Sequence, residues 1–438
     1  MEKGRNWLVI THPCNLDGRA ASQHIDDRLP YLKREGITPL VLSGPTGPSL
    51  TDTFHVQAYS PAPSGLRFEL GYKLRTEAKG RPLFRLFGTV LRFLALPFYL
   101  VEKIFLDVES QWSWFLSAGV RGYFLCKTYD PEIIYSTGGP FSAHIAAAMI
   151  AARCGKTWIA ELQDPLVHED WQRSGRALRI HARVERLICK RADAVVFVTD
   201  GARRRASERT GLGNRGWVIY PGAVPVSAPT GEYRKGSSCR FAHYGSLAGS
   251  RNVNVFLTAL ERLFRERPDH SGSVKLDLYG TFDRFSLSRI AAFPFPDVVT
   301  VHGRLSRCES LSAMRKSDVL LLVQNTSDFS TETIPSKTYE YLQSGRPILG
   351  LVYRNPELAG MLSAQGHMVV DAEDPGAVKE GITDCLTRWR ESGPEGPALP
   401  PSPYTVASAV DQMIAIGGKA VLQREEAKGQ RMQALPGG

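Results

Sequence analysis

Several features are scarce or missing in these 438 residues, and each absence removes a class of answer. The cysteines are seven (Cys14, Cys126, Cys154, Cys189, Cys239, Cys308 and Cys385), an odd and scattered set without a C-x-x-C pair. That pattern argues against a disulfide framework or a cysteine-type zinc site and fits a reducing compartment. The N-terminal MEKGRNWLVITHP passes from charged residues through a short strand-like run to polar ones, with no stretch long enough for a signal-peptide core, so export is not expected. No G-x-G-x-x-G follows a strand-like run, and Gly138-Gly139-Pro140 lacks the third glycine, against a nicotinamide or flavin oxidoreductase. There is no Asp-x-Asp at a strand end and no His/Cys cluster, so neither a metal nor another cofactor is expected. Zinc-finger spacing, an aromatic-interleaved basic strand and a recognition helix are also missing, and nucleic acid is not an expected partner.

What is present is an ordinary globular composition, 43% apolar and 22% charged, in a chain too long for one hydrophobic core. The net charge of +10 is uneven: residues 1–230 hold 30 Lys and Arg against 21 Asp and Glu, residues 231–438 hold 24 against 23. A basic N-terminal half suits a phosphorylated substrate or an anionic membrane surface, and it also fits plain solubility charge.

Short apolar runs recur at the spacing of βαβ units. WLVIT (7–11), PLVLS (39–43), IIYST (133–137), TWIAEL (157–162), AVVFVT (194–199) and WVIYP (217–221) form one series. RFAHYG (240–245), VKLDLYG (274–280), VVTVHG (298–303), VLLLVQ (319–324), PILGLV (347–352) and HMVVD (367–371) form a second. Helical periodicity between them predicts an α/β fold of two parallel, doubly wound sheets. The Pro/Gly/Ser-rich segment 221–238 reads as a linker, which puts the boundary near residue 230 and gives an N-terminal domain over 1–230 and a C-terminal domain over 231–392. Residues 393–438 then comprise a Pro/Gly stretch, a helix over 405–423 expected to pack back, and a frayed last dozen residues.

An insert over about 66–125 interrupts the first series. Within it, PLFRLFGTVLRFLALPFYLVEKIFL (82–106) is too charged to span a bilayer. At 100° per residue Arg81, Arg85, Gly88, Arg92, Tyr99 and Lys103 share one side while Leu, Phe, Val and Ile cover the rest. Such a stripe fits an interfacial helix kinked at Pro97, and it also fits a helix buried in the N-terminal domain.

The chemistry concentrates in TETIPSKTYEYLQSGRPILGL (331–351). Ligands of doubly wound sheets sit beyond the carboxyl ends of the strands, where the loop carrying Glu332 must lie. If Ser336 opens a helix there, free N–H groups of its first turn point into the same crevice and suit a diphosphate. Lys337 adds a positive charge, and Glu340, eight residues after Glu332, can offer its carboxylate to the vicinal hydroxyls of a ribose.

This segment resembles the E-x7-E signature of glycosyltransferase family 4, in the P-S-K-x-x-E-Y-L form of bacterial enzymes that build surface polysaccharides. Other segments are similar to the same family in the expected order. STGGPFSAHIAAAMIAARCGKTWIAELQDP (136–165) ends in Gln163-Asp164-Pro165-Leu166 where R-D-P-W is usual, so the arginine and tryptophan are absent. RADAVVFVTDGARRR (191–205), VIYPGAVP (218–225) and YGSLAGSRNVNVFLTAL (244–260) follow, the last placing Arg251 where the family supplies a basic contact to the donor diphosphate. The resemblance runs from about residue 5 to 385, and the 66–125 insert does not serve it as a predictor of specificity.

The resemblance implies two Rossmann-like domains facing a cleft, the GT-B architecture, and retaining transfer of a sugar from a nucleotide diphosphate donor to an acceptor hydroxyl. It assigns Glu340 to the ribose, Arg251, Lys337 and Ser336 to the diphosphate, and Glu332 to the transferred sugar. Asp164 would position the acceptor hydroxyl or accept its proton, although a carboxylate there could equally cap the next helix. Gly18, after the first strand, would bring backbone N–H groups near the diphosphate. Fixed cations would stabilise the charge that builds on the leaving diphosphate, so no metal is needed. A sugar or lipid-linked acceptor, a cytoplasmic location and contact with the inner face of a membrane are the accompanying expectations. A nucleotide-sugar epimerase of the same shape and an inactive membrane-associated scaffold are the competing readings.

Overall fold

In a computed structural model of the chain, residues 5–16, 18–76, 82–168, 174–225, 233–400 and 402–433 are described. They form two compact units. The first comprises the chain up to Tyr220 together with the chain from Val406, and the second is Pro221–Thr405. The expected boundary near residue 230 falls outside the described residues.

The first unit holds a seven-stranded parallel sheet. Its strands are β1 (Arg5–Thr11), β2 (Ile37–Ser43), β3 (His55–Gln57), β4 (Ile133–Thr137), β5 (Thr157–Leu162), β6 (Ala194–Phe197) and β7 (Gly216–Val218), in the order β3-β2-β1-β4-β5-β6-β7. The second unit holds a six-stranded parallel sheet of β8 (Cys239–Tyr244), β9 (Val274–Tyr279), β10 (Val299–Gly303), β11 (Val319–Val323), β12 (Ile348–Val352) and β13 (Met368–Asp371), in the order β10-β9-β8-β11-β12-β13. Every strand-like run named above forms a strand. The additional strand, β3, has the sequence HVQ and is half-buried throughout, so it carries no apolar run to be read.

The inner strands of both sheets are covered on two faces, which is why β6, β11 and β12 read as nearly continuous apolar runs instead of alternating. On one face of the first sheet Leu8, Ile10, Ile134 and Trp158 pack with Ala143, Ala147 and Ile150 of the helix Ser142–Cys154. On the other, Trp7, Val9 and Tyr135 pack with Val406, Val410 and Met413 of the helix Val406–Gln433. The C-terminal helix thus belongs to the first core. It continues to Gln433, past the expected end at 423, so the expected fraying does not begin at the last dozen residues; 434–438 lie outside the described ones. In the second sheet Phe241, Leu276, Leu321 and Leu349 form the core with Phe256, Leu260 and Leu386. Full burial of one such side chain contributes about 1.5–3 kcal/mol.

Candidate active site

In each sheet the strand order reverses direction once, between β1 and β4 in the first and between β8 and β11 in the second. The loops leaving those strands at their carboxyl ends border the crevice where α/β sheets bind ligands. In the second unit these loops carry Arg251, after β8, and Glu332, after β11.

The loop after β8 is shaped by backbone contacts with the chain after β9. Leu247 N–H donates to Thr281 O at 2.9 Å, and Gly249 N–H donates to the Asp283 carboxylate at 2.9 Å. Gly280, at φ +142°, permits the approach: a Cβ there would lie 1.8 Å from Gly245 O. No side chain fits at that position without displacing the loop that holds Arg251.

The chain after β11 runs through a short 3₁₀ helix, Asp328–Glu332, into the helix Lys337–Gln343. Two buried amides pin the turn bearing Glu332. Gln324 Nε2 donates to Ser330 O (2.7 Å) and Thr333 O (3.1 Å), and Asn355 Nδ2 donates to the same two carbonyls at 2.7 and 2.9 Å. Glu332 itself is buried. The following helix is fastened to the end of β8 by Tyr341, whose buried hydroxyl accepts the Tyr244 N–H at 2.7 Å.

Ser336 occupies the position before the helix, but its side chain makes no capping bond. The expectation of a wholly free first turn needs correction, because Thr338 N–H donates to Pro335 O and Tyr339 N–H to Ser336 O. Glu340 is buried between two cations, Lys337 Nζ at 2.7 Å and Arg307 Nε at 3.0 Å. Arg307 arrives from the helix after β10, whose start is fixed by a reciprocal capping box of Ser306 and Glu309. A carboxylate held this way presents an oriented acceptor to a hydroxyl pair, while its cations remain at hand for a phosphate.

His243, on β8, was not singled out by sequence. It is buried, and its Nδ1 donates to Leu321 O on β11 at 3.0 Å. A carbonyl can only accept, so Nδ1 carries the proton and the neutral ring leaves Nε2 as a buried acceptor without a partner. Burial, together with the positive charges of Arg251 and Lys337, pushes the imidazole pKa down to about 4. Arg251 Nε is likewise buried without a partner, and desolvation lowers the guanidinium pKa. Arg251 and Lys337 thus form a pair of cations beside the neutral His243 ring at the switch point.

Asp164 and Gly18 belong to the first unit. Gly18 lies in the loop after β1 at φ +69° and is exposed. Asp164 follows β5 and is solvent-exposed. It does not cap the next helix, Gly175–Arg191, whose first turn is bonded by the Ser174 side chain. Gln163, in place of the family's arginine, donates to Thr137 Oγ1 at 2.9 Å. Thr137 in turn donates to Glu161, a buried carboxylate that also accepts from Arg28 (2.6 Å) and Tyr135 (2.5 Å). Burial alone would raise the Glu161 pKa, but the Arg28 guanidinium holds it down to about 2. Among the described residues no group of three or more His, Cys, Asp or Glu is placed to hold a metal ion.

Residues 52–222 match the family model described as a glycosyl transferase 4-like domain. No curated protein matches in sequence. Among solved structures the chain is similar to Alr3699/HepE of Anabaena in complex with UDP, at 12% identity over 98% of this chain and 100% of that one, with a TM-score of 0.57. It is similar to a sucrose-phosphate synthase from Thermosynechococcus elongatus (13% identity, 98% and 100% covered, TM-score 0.58). A third likeness is to the trehalose-6-phosphate structure from E. coli bound with UDP-2-fluoro glucose (13% identity, 98% and 99% covered, TM-score 0.58). Residues 52–222 are thus similar to a glycosyl transferase 4-like domain, and the chain as a whole has the GT-B fold of these structures. On that fold β8–β13 make up one Rossmann-like unit and β1–β7 the other, and Glu332, Glu340, Lys337, Arg251 and Ser336 all fall in the former.

Proposed function

We propose that the chain is a retaining glycosyltransferase that takes a sugar from a nucleoside diphosphate sugar and passes it to the hydroxyl of a sugar or lipid-linked acceptor in cell-surface polysaccharide or glycolipid synthesis. One observation carries this reading: the cations Arg251 and Lys337, beside the neutral His243 ring and the oriented carboxylate of Glu340, at the switch point of a doubly wound sheet. In this reading Arg251 and Lys337 hold the diphosphate with the N–H groups about Ser336, Glu340 takes the ribose and Glu332 the transferred sugar. As the sugar bond breaks, negative charge grows on the diphosphate, and cations fixed beforehand favour that state over the ground state. Asp164 is assigned to the acceptor hydroxyl and Gly18 to a backbone contact with the diphosphate.

The test is thermal unfolding of the purified chain against UDP, GDP, ADP, their common sugar conjugates and NAD. UDP comes first because two of the three structures named above are complexes with UDP or a UDP-sugar. A ligand at 100 times its dissociation constant should stabilise by about 2.7 kcal/mol. In Glu340→Gln the nucleotide should bind more weakly, while Glu332→Gln should mainly lower turnover. Equal affinity losses in the two variants would contradict the assigned roles, and silence of the folded wild-type protein across the panel would favour an inactive scaffold.

A further inference from the structure

The insert contains two consecutive helices, Pro82–Leu94 and Leu96–Phe105, that are inside out. Their polar and small residues face the protein. Gly88 lies against Leu74, and the Arg92 guanidinium lies against Gly71, both on the helix Pro63–Thr76. Arg67 sits over the Tyr99 ring, 5.3 Å from its centre. Lys103 Nζ donates to Val108 O at 2.6 Å, and the Glu102 carboxylate accepts from Ser64 N–H, the Ser64 hydroxyl and the Trp112 indole. Arg176 ties the end of the second helix by donating to Phe105 O at 2.9 Å. Arg81, and the side chain of Arg85, lie outside the described residues.

The outward side is the reverse of a surface helix facing water. Among the described side chains of these two helices, every exposed one except Thr89 is Leu, Ile, Val, Phe or Pro. Exposure runs from 47% at Val90 to 82% at Leu83, with Phe93 at 73% and Ile104 at 71%. At about 150–250 Å² for a large side chain, the face amounts to on the order of 1,000 Å² of apolar surface. A monomer in water ordinarily shows a few hundred Å² at most in one patch. The expectation of a helix buried in the N-terminal domain is therefore corrected: the second of the pair buries no residue at all.

We infer that this face is a docking surface for an anionic lipid bilayer, with the two helices lying in the interface plane. Three observations favour lipid over a protein partner. A protein interface of this size carries about ten hydrogen bonds, and this face offers almost no group to make them, whereas acyl chains require none. Neither helix is long or apolar enough to cross a membrane, so the pair fits partial immersion and not a span. Residues 66–106 are also basic in sequence, with eight Lys and Arg against three Asp and Glu; Arg67, Arg92 and Lys103 turn inward, as do Glu69 and Glu102, and the excess of positive charge that remains over the segment complements an anionic surface. The inference does not depend on the reading of the donor site.

The experiment is co-sedimentation of the full chain with phosphatidylglycerol/phosphatidylcholine vesicles and with pure phosphatidylcholine vesicles, alongside light scattering of the protein alone. Wild type should bind the anionic vesicles more strongly than the neutral ones, and each exposed aromatic removed should weaken binding on the order of tenfold. The triple variant Phe87→Ser/Phe93→Ser/Phe98→Ser should sediment with neither, and because these side chains already face outward it should keep its unfolding midpoint and any nucleotide response. Absence of wild-type binding to either vesicle would overturn the inference. So would vesicle binding unchanged in the triple variant, or a wild-type oligomer that the variant dissociates without any vesicle binding, since the face would then cover a second copy. A nucleotide response that persists while vesicle binding fails separates this inference from the proposed activity.

Discussion

Replacing Arg251 with alanine should move stability and ligand affinity in opposite directions. The side chain projects from the loop after β8 with its Nε buried and without a partner, and burial lowers the guanidinium pKa. Among the described residues no carboxylate pairs with it, in contrast to Lys337 and Arg307, which share Glu340. A buried polar atom left unsatisfied costs about 1–3 kcal/mol. Because Arg251 keeps partial exposure, its removal should raise the stability of the ligand-free second unit by the lower end of that range, about 1 kcal/mol, or roughly 2–4 °C in a unit of this size. The same change removes charge-assisted hydrogen bonds to a diphosphate, each contributing about 1.5–3 kcal/mol, so the dissociation constant of the responding nucleotide should rise roughly 10- to 150-fold. Arg251→Lys should fall between, keeping the charge and losing the fork. Scanning calorimetry without ligand and isothermal titration with it measure the two quantities. A lower midpoint with an unchanged dissociation constant would show that Arg251 is a packing residue and would refute the reasoning.

Three further outcomes follow from the same geometry. Burial depresses His144, His243 and His367 to about 4, from 6.5 when unfolded, so the unfolded chain binds more protons between those values. Stability should therefore rise with pH from about 4 to 6.5 by up to about 3 kcal/mol per histidine and level off above, and equal urea midpoints at pH 5 and pH 7 would contradict this. Gly280→Ala puts a methyl group 1.8 Å from Gly245 O at a positive φ, so it should both destabilise the second unit and weaken nucleotide binding through the displaced loop; retained affinity would disconnect that loop from the site. Tyr341→Phe leaves the buried Tyr244 N–H without its acceptor and should cost the second unit about 1–3 kcal/mol in chemical unfolding; a wild-type midpoint would mean that this hydroxyl does not fasten the helix to β8.

The inner strands were legible because they are buried on two faces, so that VLLLV is apolar throughout and IIYST is buried along its whole length. The HVQ strand was not, since at the sheet edge its half-buried side chains need no apolar pattern. For the candidate site, the spacing of Glu332 and Glu340 pointed to the loop and helix after β11. It could not tell that Glu340 lies between Arg307 and Lys337, because Arg307 comes from another strand connection. His243 was illegible for a similar reason: a lone histidine inside RFAHYG looks like a core residue until β11 is placed beside it. In the insert, the periodicity separated a basic stripe from an apolar arc, yet only the packing against Pro63–Thr76 tells which of the two faces inward.

The chain leaves the first unit at Tyr220 and re-enters it at Val406, and that itinerary governs the order of events during synthesis. Trp7 and Val9 emerge early, but the side chains that cover them, Val406, Val410 and Met413, are translated only after the second unit. Ile25, Leu29 and Leu32 can cover part of that face early, but the part under the C-terminal helix waits through the whole of Pro221–Thr405, while the second unit has all of its own strands and core in one contiguous stretch. Domains fold as units while the chain is made, at about 5–20 residues per second, so the downstream unit can finish first and the upstream one last. Ribosome-stalled chains ending before Val406 should accordingly expose the Trp7 face to proteases and chaperones, and a few dozen more residues should close it.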